Sequence, residues 1–125
     1  MMKDKDAIAT AAVRDLAAAR KFYEGTLGLE PLPGSEKSAQ SYKAGRSTLL
    51  VYESGYAGTN QATAVTWAVG DVDGTVQALK AKGVAFERYD MPGMTREGDV
   101  HVGGGIRVAW FKDPDGNIHS LVAEP

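Results

Sequence analysis

Two short stretches decide the fold of this chain: Val13-Arg14-Asp15-Leu16 and Val69-Gly70-Asp71-Val72, which stand 56 residues apart. Each closes an apolar, β-compatible run, residues 7–13 in the first case and 63–69 in the second. In both, the Asp occupies the place of a helix N-cap, because its carboxylate can accept the orphan backbone N–H groups of a first helical turn. Beyond Asp15 the apolar residues Leu16, Ala19 and Tyr23 fall at helical spacing, as do Val72, Val76 and Leu79 beyond Asp71. Both helices stop at a glycine, Gly28 and Gly83, the residue that adopts a left-handed C-terminal cap with least strain. A chain that repeats strand, cap and helix in this way contains a duplicated supersecondary unit.

After each helix the sequence reads as three strands. In the first half these are residues 29–31, 39–44 and 48–53; in the second they are 85–89, a piece near 100–102 continued at 106–111, and 118–123. Gly45-Arg46 and Pro114-Asp115-Gly116-Asn117 supply hairpin turns. Residues 55–61 carry turn formers and no apolar period, so they read as a linker. The expected architecture is α+β, a single domain over residues 1–125. It holds two tandem βαβββ modules, at residues 7–54 and 62–124, joined by that linker.

Composition narrows the function. With 43% hydrophobic and 24% charged residues, the chain of 125 has the make-up of an ordinary globular protein with a real core. A net charge of -2 supplies no cationic footprint for a phosphate backbone, so nucleic acid is not an expected partner. The absence of cysteine removes disulfides, thiolate metal sites and Cys nucleophiles, and fits a reducing compartment. The opening Met-Met-Lys-Asp-Lys-Asp lacks the apolar core of a signal peptide, and no stretch approaches the roughly 18 apolar residues of a membrane span. A cytoplasmic location without a membrane partner is expected.

The segments Val13-Arg14-Asp15-Leu16, Phe22-Tyr23-Glu24-Gly25-Thr26-Leu27-Gly28-Leu29 and Trp110-Phe111-Lys112-Asp113-Pro114-Asp115-Gly116-Asn117 resemble, in order and spacing, the vicinal-oxygen-chelate superfamily of glyoxalases, bleomycin-resistance proteins and dioxygenases. The resemblance covers nearly the whole chain. It implies curved mixed sheets enclosing a concave pocket, helices on the convex side, and a homodimer. It implies fold more firmly than chemistry, because function lives in the site. Enzymes of this superfamily hold a divalent metal through His on the first strand of each module and Glu or His on the last. Carried over, the first-strand positions fall on Ile8 and Ala64, the last-strand position of the second module on Ser120, and the fourth on Val51, or on Glu53 if the strand slides by two. At most one carboxylate is left, whereas hard divalent ions need several oxygen or imidazole ligands at once. Neither a metal nor another cofactor is expected.

By the same register Trp110 shares parity with Ile106 and Val108 and faces the concavity, where an indole supplies a flat apolar surface with one N–H donor. His101, ahead of Gly103-Gly104-Gly105, reaches toward the pocket mouth, whereas His119 has the opposite parity to Ser120 and reads as structural, as does Trp67. Tyr89, Met91 and Met94 bracket Pro92-Gly93 in a segment that reads either as an adaptable rim or as a plain surface loop. Tyr56 either closes over a ligand or anchors the linker. The Asp113 to Asn117 carboxylates read as a tight turn and not as an acid–base pair. The glycine triplet reads as a hairpin, since no Gly-Lys-Ser comes after it.

The expected ligand-binding set is therefore Trp110, Glu53, His101, Tyr56, Thr66, Ser120, Val51 and Thr10, with no catalytic residue assigned and Glu53 the sole candidate base. Small residues at Thr10, Ala12, Thr66, Ala68 and Ser120 leave volume beside Trp110 for a bulky aromatic or amphipathic small molecule. The function this favours is metal-free binding, as in antibiotic sequestration by the bleomycin-resistance branch. The alternative is a metal-dependent lyase, isomerase or dioxygenase of glyoxalase type that recruits Glu53 and His101, which the ligand count opposes. A metal-free enzyme using Glu53 as general base is a third reading.

Overall fold

Both helices begin where the two aspartates place them. A computed structural model of the chain describes residues 1–34 and 36–123, so residue 124, the expected end of the second module, lies outside the described residues. Asp15 Oδ1 accepts the Ala17 N–H at 3.0 Å and Asp71 Oδ1 accepts the Gly74 N–H at 3.0 Å. The first helix, α1 (Leu16–Arg20), widens over Lys21–Thr26 into a π-helical stretch closed by a bond from Leu27 N–H to Phe22 O. Gly28 then reverses the chain at φ +71°, a conformation that a Cβ disfavours. The second helix, α2 (Val72–Ala81), is regular and buries Val72 and Val76.

Strands β1 (Ala9–Val13), β2 (Glu30–Pro31), β3 (Ala39–Ala44) and β4 (Ser47–Glu53) form one sheet in the order β1-β4-β3-β2, with β1 parallel to β4. Strands β5 (Thr63–Val69), β6 (Phe86–Glu87), β7 (Thr95–Glu97), β8 (Val100–Gly103), β9 (Ile106–Lys112) and β10 (Ile118–Ala123) form the second. Its order is β5-β10-β9-β8-β7, with β6 beside β9 and β5 parallel to β10. The two sheets thus repeat one topology: first and last strands paired in parallel, the intervening strands antiparallel. Neither closes on itself, and β1 and β5 lie alongside one another at the junction.

Two departures from the expected strands are local. The expected strand at 85–89 shortens to Phe86–Glu87, because Tyr89 turns its N–H to a side chain instead of a neighbouring strand. Strand β7 was not expected: Thr95-Arg96-Glu97 is polar and exposed, so no apolar alternation marks it as the edge strand it forms.

The back of each sheet packs under its helix. Behind the first sheet Val13, Leu16, Ala19, Tyr23, Tyr42, Leu49 and Val51 pack together; behind the second Val72, Val76, Val100, Ala109, Phe111 and Leu121 do so. Phe22, Leu27 and Trp67 pack against both clusters and make the two cores continuous. The linker is held as well: a Cβ on Gly58, at φ +75°, would strike the backbone carbonyl of Asp115.

Candidate functional site

The registers settle which side chains share the open front. In the first sheet Thr10 pairs with Leu50 and Ala12 with Tyr52, which puts these four on the front and their neighbours Ala11, Val13, Leu49 and Val51 on the back. In the second, Thr66 pairs with Ser120 and Ser120 with Trp110, while Ala68 pairs with Val122, Val122 with Val108, and Val108 with His101. Trp110, His101, Thr66 and Ser120 are therefore brought together on one front, with Thr10 on the front of the adjacent sheet.

Two of the expected site residues are corrected. Val51 is fully buried in the core behind the first sheet, and Glu53 shares its parity: Glu53 Oε2 accepts the Leu16 N–H at 3.0 Å, capping the start of α1. Neither reaches the front, so Glu53 is no candidate base there. The apolar run Leu49-Leu50-Val51 has no alternation, and only the pairing with β1 reveals its parity. Because Thr10 and Thr66 are repeat equivalents, the counterpart of Ser120 in the first sheet is Leu50. Tyr56 stands on the linker surface, 81% exposed.

On the front of the second sheet three rings meet. Trp110 is half-buried and lies edge-to-face with His101 at 4.8 Å between centroids and with Tyr89 at 5.2 Å. His101 is fully buried; its Nε2 accepts the Tyr89 backbone N–H at 2.9 Å, and its Nδ1 has no partner among the described residues. The Ser120 hydroxyl donates to Thr66 Oγ1 at 2.9 Å, so the small floor beside Trp110 is itself hydrogen-bonded. A cleft of about 340 Å³ opens here, lined among others by Thr63, Tyr89, Met91, Trp110 and Ile118. That is the lower range of small-ligand sites, and Tyr89 and Met91 make the 88–94 segment one side of its rim. The entry to β8 is anchored by Asp99, whose carboxylate accepts Lys80 Nζ at 2.7 Å and Arg88 Nε at 3.0 Å. The Lys80 bond foremost holds that carboxyl below the usual range.

The back of the same sheet carries a finished polar chain. Trp67 Nε1–H donates to His119 Nδ1 at 3.0 Å, which leaves the imidazole proton on Nε2 facing the Tyr23 hydroxyl at 3.0 Å; that hydroxyl donates to Asp113 Oδ2 at 2.7 Å. Burial pushes His119 down to about 4, with Asp113 opposing, and burial raises the Tyr23 hydroxyl far above its ordinary value. Asp113 further accepts the backbone N–H groups of Asp115 and Asn117 and the Asn117 amide, and that amide donates to Ala12 O at 2.7 Å. The Asp-Pro-Asp-Gly-Asn turn is thus structural, and it fastens the second module to β1.

The chain matches the Glyoxalase/Bleomycin resistance protein/Dioxygenase superfamily over residues 7–120. It belongs to that superfamily. Its structure is similar to a bleomycin resistance determinant encoded on transposon Tn5 (19% identity, 96% of this chain and 98% of that one, TM-score 0.73). It is also similar to the fosfomycin resistance protein FosX from Listeria monocytogenes (18%, 97% and 93%, 0.72) and to lactoylglutathione lyase from Agrobacterium tumefaciens (19%, 95% and 92%, 0.69). At these identities the likeness is one of fold. No curated protein sequence matches the chain.

Within this superfamily the metal test turns on the donor set. The positions to which the resemblance carries the metal ligands, Ile8, Ala64 and Ser120, together with Leu50 as the first-sheet counterpart of Ser120, offer one weak oxygen donor among three hydrocarbons. Such residues do not fit a divalent metal. No helix among the described residues is long and apolar enough to cross a membrane.

Proposed function

We propose that this protein binds a bulky aromatic or amphipathic small molecule without a metal, in the manner suggested by its similarity to antibiotic-resistance proteins, and does so as a cytoplasmic homodimer. The observation that carries the reading is the front of the second sheet. A half-buried indole lines an open cleft and shares its face of the sheet with the small residues Thr66, Ala68 and Ser120, and the fold's metal positions hold no adequate donors. An aromatic wall over small residues offers stacking area and volume together. The homodimer is favoured by the front of the first sheet, which leaves Ile8 (53%) and Tyr52 (38%) exposed next to half-buried Leu50. An apolar face of this kind is suited to meet a second copy and wall the cleft from the other side.

Metal analysis of protein purified without chelator and calorimetric titration with 8-anilinonaphthalene-1-sulfonate test the reading together. The expected results are no stoichiometric metal, saturable binding, and a roughly tenfold weaker affinity in Trp110→Ala with the thermal midpoint nearly unmoved. Tight stoichiometric metal, or binding indifferent to Trp110→Ala, overturns it.

A further inference from the structure

Behind the two rings that line the cleft, Trp110 and Tyr89, packs a polar side chain, His101. His101 is fully buried, and because its Nε2 accepts the Tyr89 N–H at 2.9 Å, a neutral imidazole must carry its proton on Nδ1. That N–H has no acceptor among the described residues. Leaving a buried donor unmatched is costly, because its hydration is lost with nothing in exchange, so folded proteins seldom retain one without a use. The edge-to-face contact with Trp110 offers at most the indole π cloud, a weak acceptor.

A second, independent feature lies beside it. Arg96 on β7 pairs in register with His101 and so shares its front face; Arg96 is exposed and forms no ion pair among the described residues. It lines, with Tyr89, Met91 and Met94, a depression of about 510 Å³ formed by the rim segment. Asp90 lies on that rim too, and Glu87, which faces the front opposite Trp110, is engaged by Lys112 at 3.3 Å. The depression and the Trp110 cleft share Tyr89 and Met91, and the cation and the unmatched N–H donor stand on paired residues of the same front face.

Resting on the guest-binding reading, we propose that His101 and Arg96 select guests carrying an anionic oxygen group, a carboxylate, sulfonate or phenolate, attached to the aromatic body that Trp110 packs against. His101 Nδ1–H donates to one oxygen of that group and Arg96 neutralises it at the rim. The bond from Tyr89 N–H to His101 fixes the tautomer that makes the donation available and ties the rim segment to the sheet. Because the Nδ1 edge is covered in the free protein, the rim residues 89–94 lift or repack to admit the guest.

The test uses two probes of the same shape, 8-anilinonaphthalene-1-sulfonate and the uncharged N-phenyl-1-naphthylamine, titrated into the wild-type protein and its variants. The ratio of the two affinities is expected to fall about tenfold in His101→Phe, the loss typical of a hydrogen bond to a charged group. It falls by about two- to threefold in Arg96→Gln, and His101→Gln retains part of the preference because an amide can both accept from Tyr89 and donate onward. Nitrogen-15 NMR of the wild-type imidazole, which needs no variant to fold, is expected to show Nδ1 protonated in the free protein and shifted on addition of the sulfonate. An Nδ1 that is unprotonated, or an unchanged affinity ratio while both probes still depend on Trp110, overturns the role of His101 and leaves the guest-binding reading standing. If neither probe binds in a Trp110-dependent way, both fall.

Discussion

The second sheet buries one histidine on each face, and the two have been finished to different degrees. His119 on the back has both ring nitrogens bonded and continues through Tyr23 to Asp113; His101 on the front has one nitrogen bonded and the other unmatched among the described residues. Burial is complete in both, so burial alone does not tell structure from function. What separates them is satisfaction. A polar network closed on every member rigidifies the fold, whereas the unmatched donor on the front is the feature on which the proposed guest contact rests.

The contrast can be broken most forcefully at the back. Asp113→Ala would strand the donors of Tyr23, Asp115 and Asn117 at once, and the expected loss is about 4 kcal/mol of stability by urea denaturation. A loss below about 1 kcal/mol would show that the network is slack and that the two faces do not differ in this way.

A somewhat smaller effect is expected from acid. His119 titrates at about 4 when folded, against an ordinary value of 6.5. Its folded state therefore resists protonation more than the unfolded chain does, and stability is full above pH 6.5 and drains as the pH falls toward 4. The contribution is on the order of 3 kcal/mol across that window. Urea midpoints measured at about pH 7 and about pH 4.5 should show the decline, and His119→Gln should flatten it. An equal slope in the variant would place the acid sensitivity elsewhere.

The smallest effect sharpens the assignment of faces in the first sheet. Glu53→Ala removes a cap from α1 and is expected to cost about 1 kcal/mol while leaving the affinity for 8-anilinonaphthalene-1-sulfonate unchanged. A drop in that affinity would return Glu53 to the guest site and count against the back-face placement.

Much of the fold was legible because its signals are local. Asp15 and Asp71 cap helices, Gly28 ends the first, and the runs 63–69 and 118–123 recur as strands with the same bounds. The register that the resemblance implies assigns Trp110 and Ser120 to the concave face, and in the structure they pair across β9 and β10. The placement of Val51 and Glu53 was not legible, because an unbroken apolar run has no parity until a neighbouring strand supplies one. The shared tilt of His101 and Tyr89 toward Trp110 likewise depends on a loop fixed by a bond from the Tyr89 backbone to a side chain distant in sequence.

Local chemistry in the chain, its caps, turns, alternation and duplicated pattern, specified the α+β architecture and the superfamily, because such features act over a few residues and need no partner. Tertiary packing decided which residues face the cleft, which carboxylate caps a helix, and which histidine keeps an unmatched N–H. Those outcomes depend on strand register and on contacts between residues far apart in sequence, where a shift of one position exchanges one face of a sheet for the other.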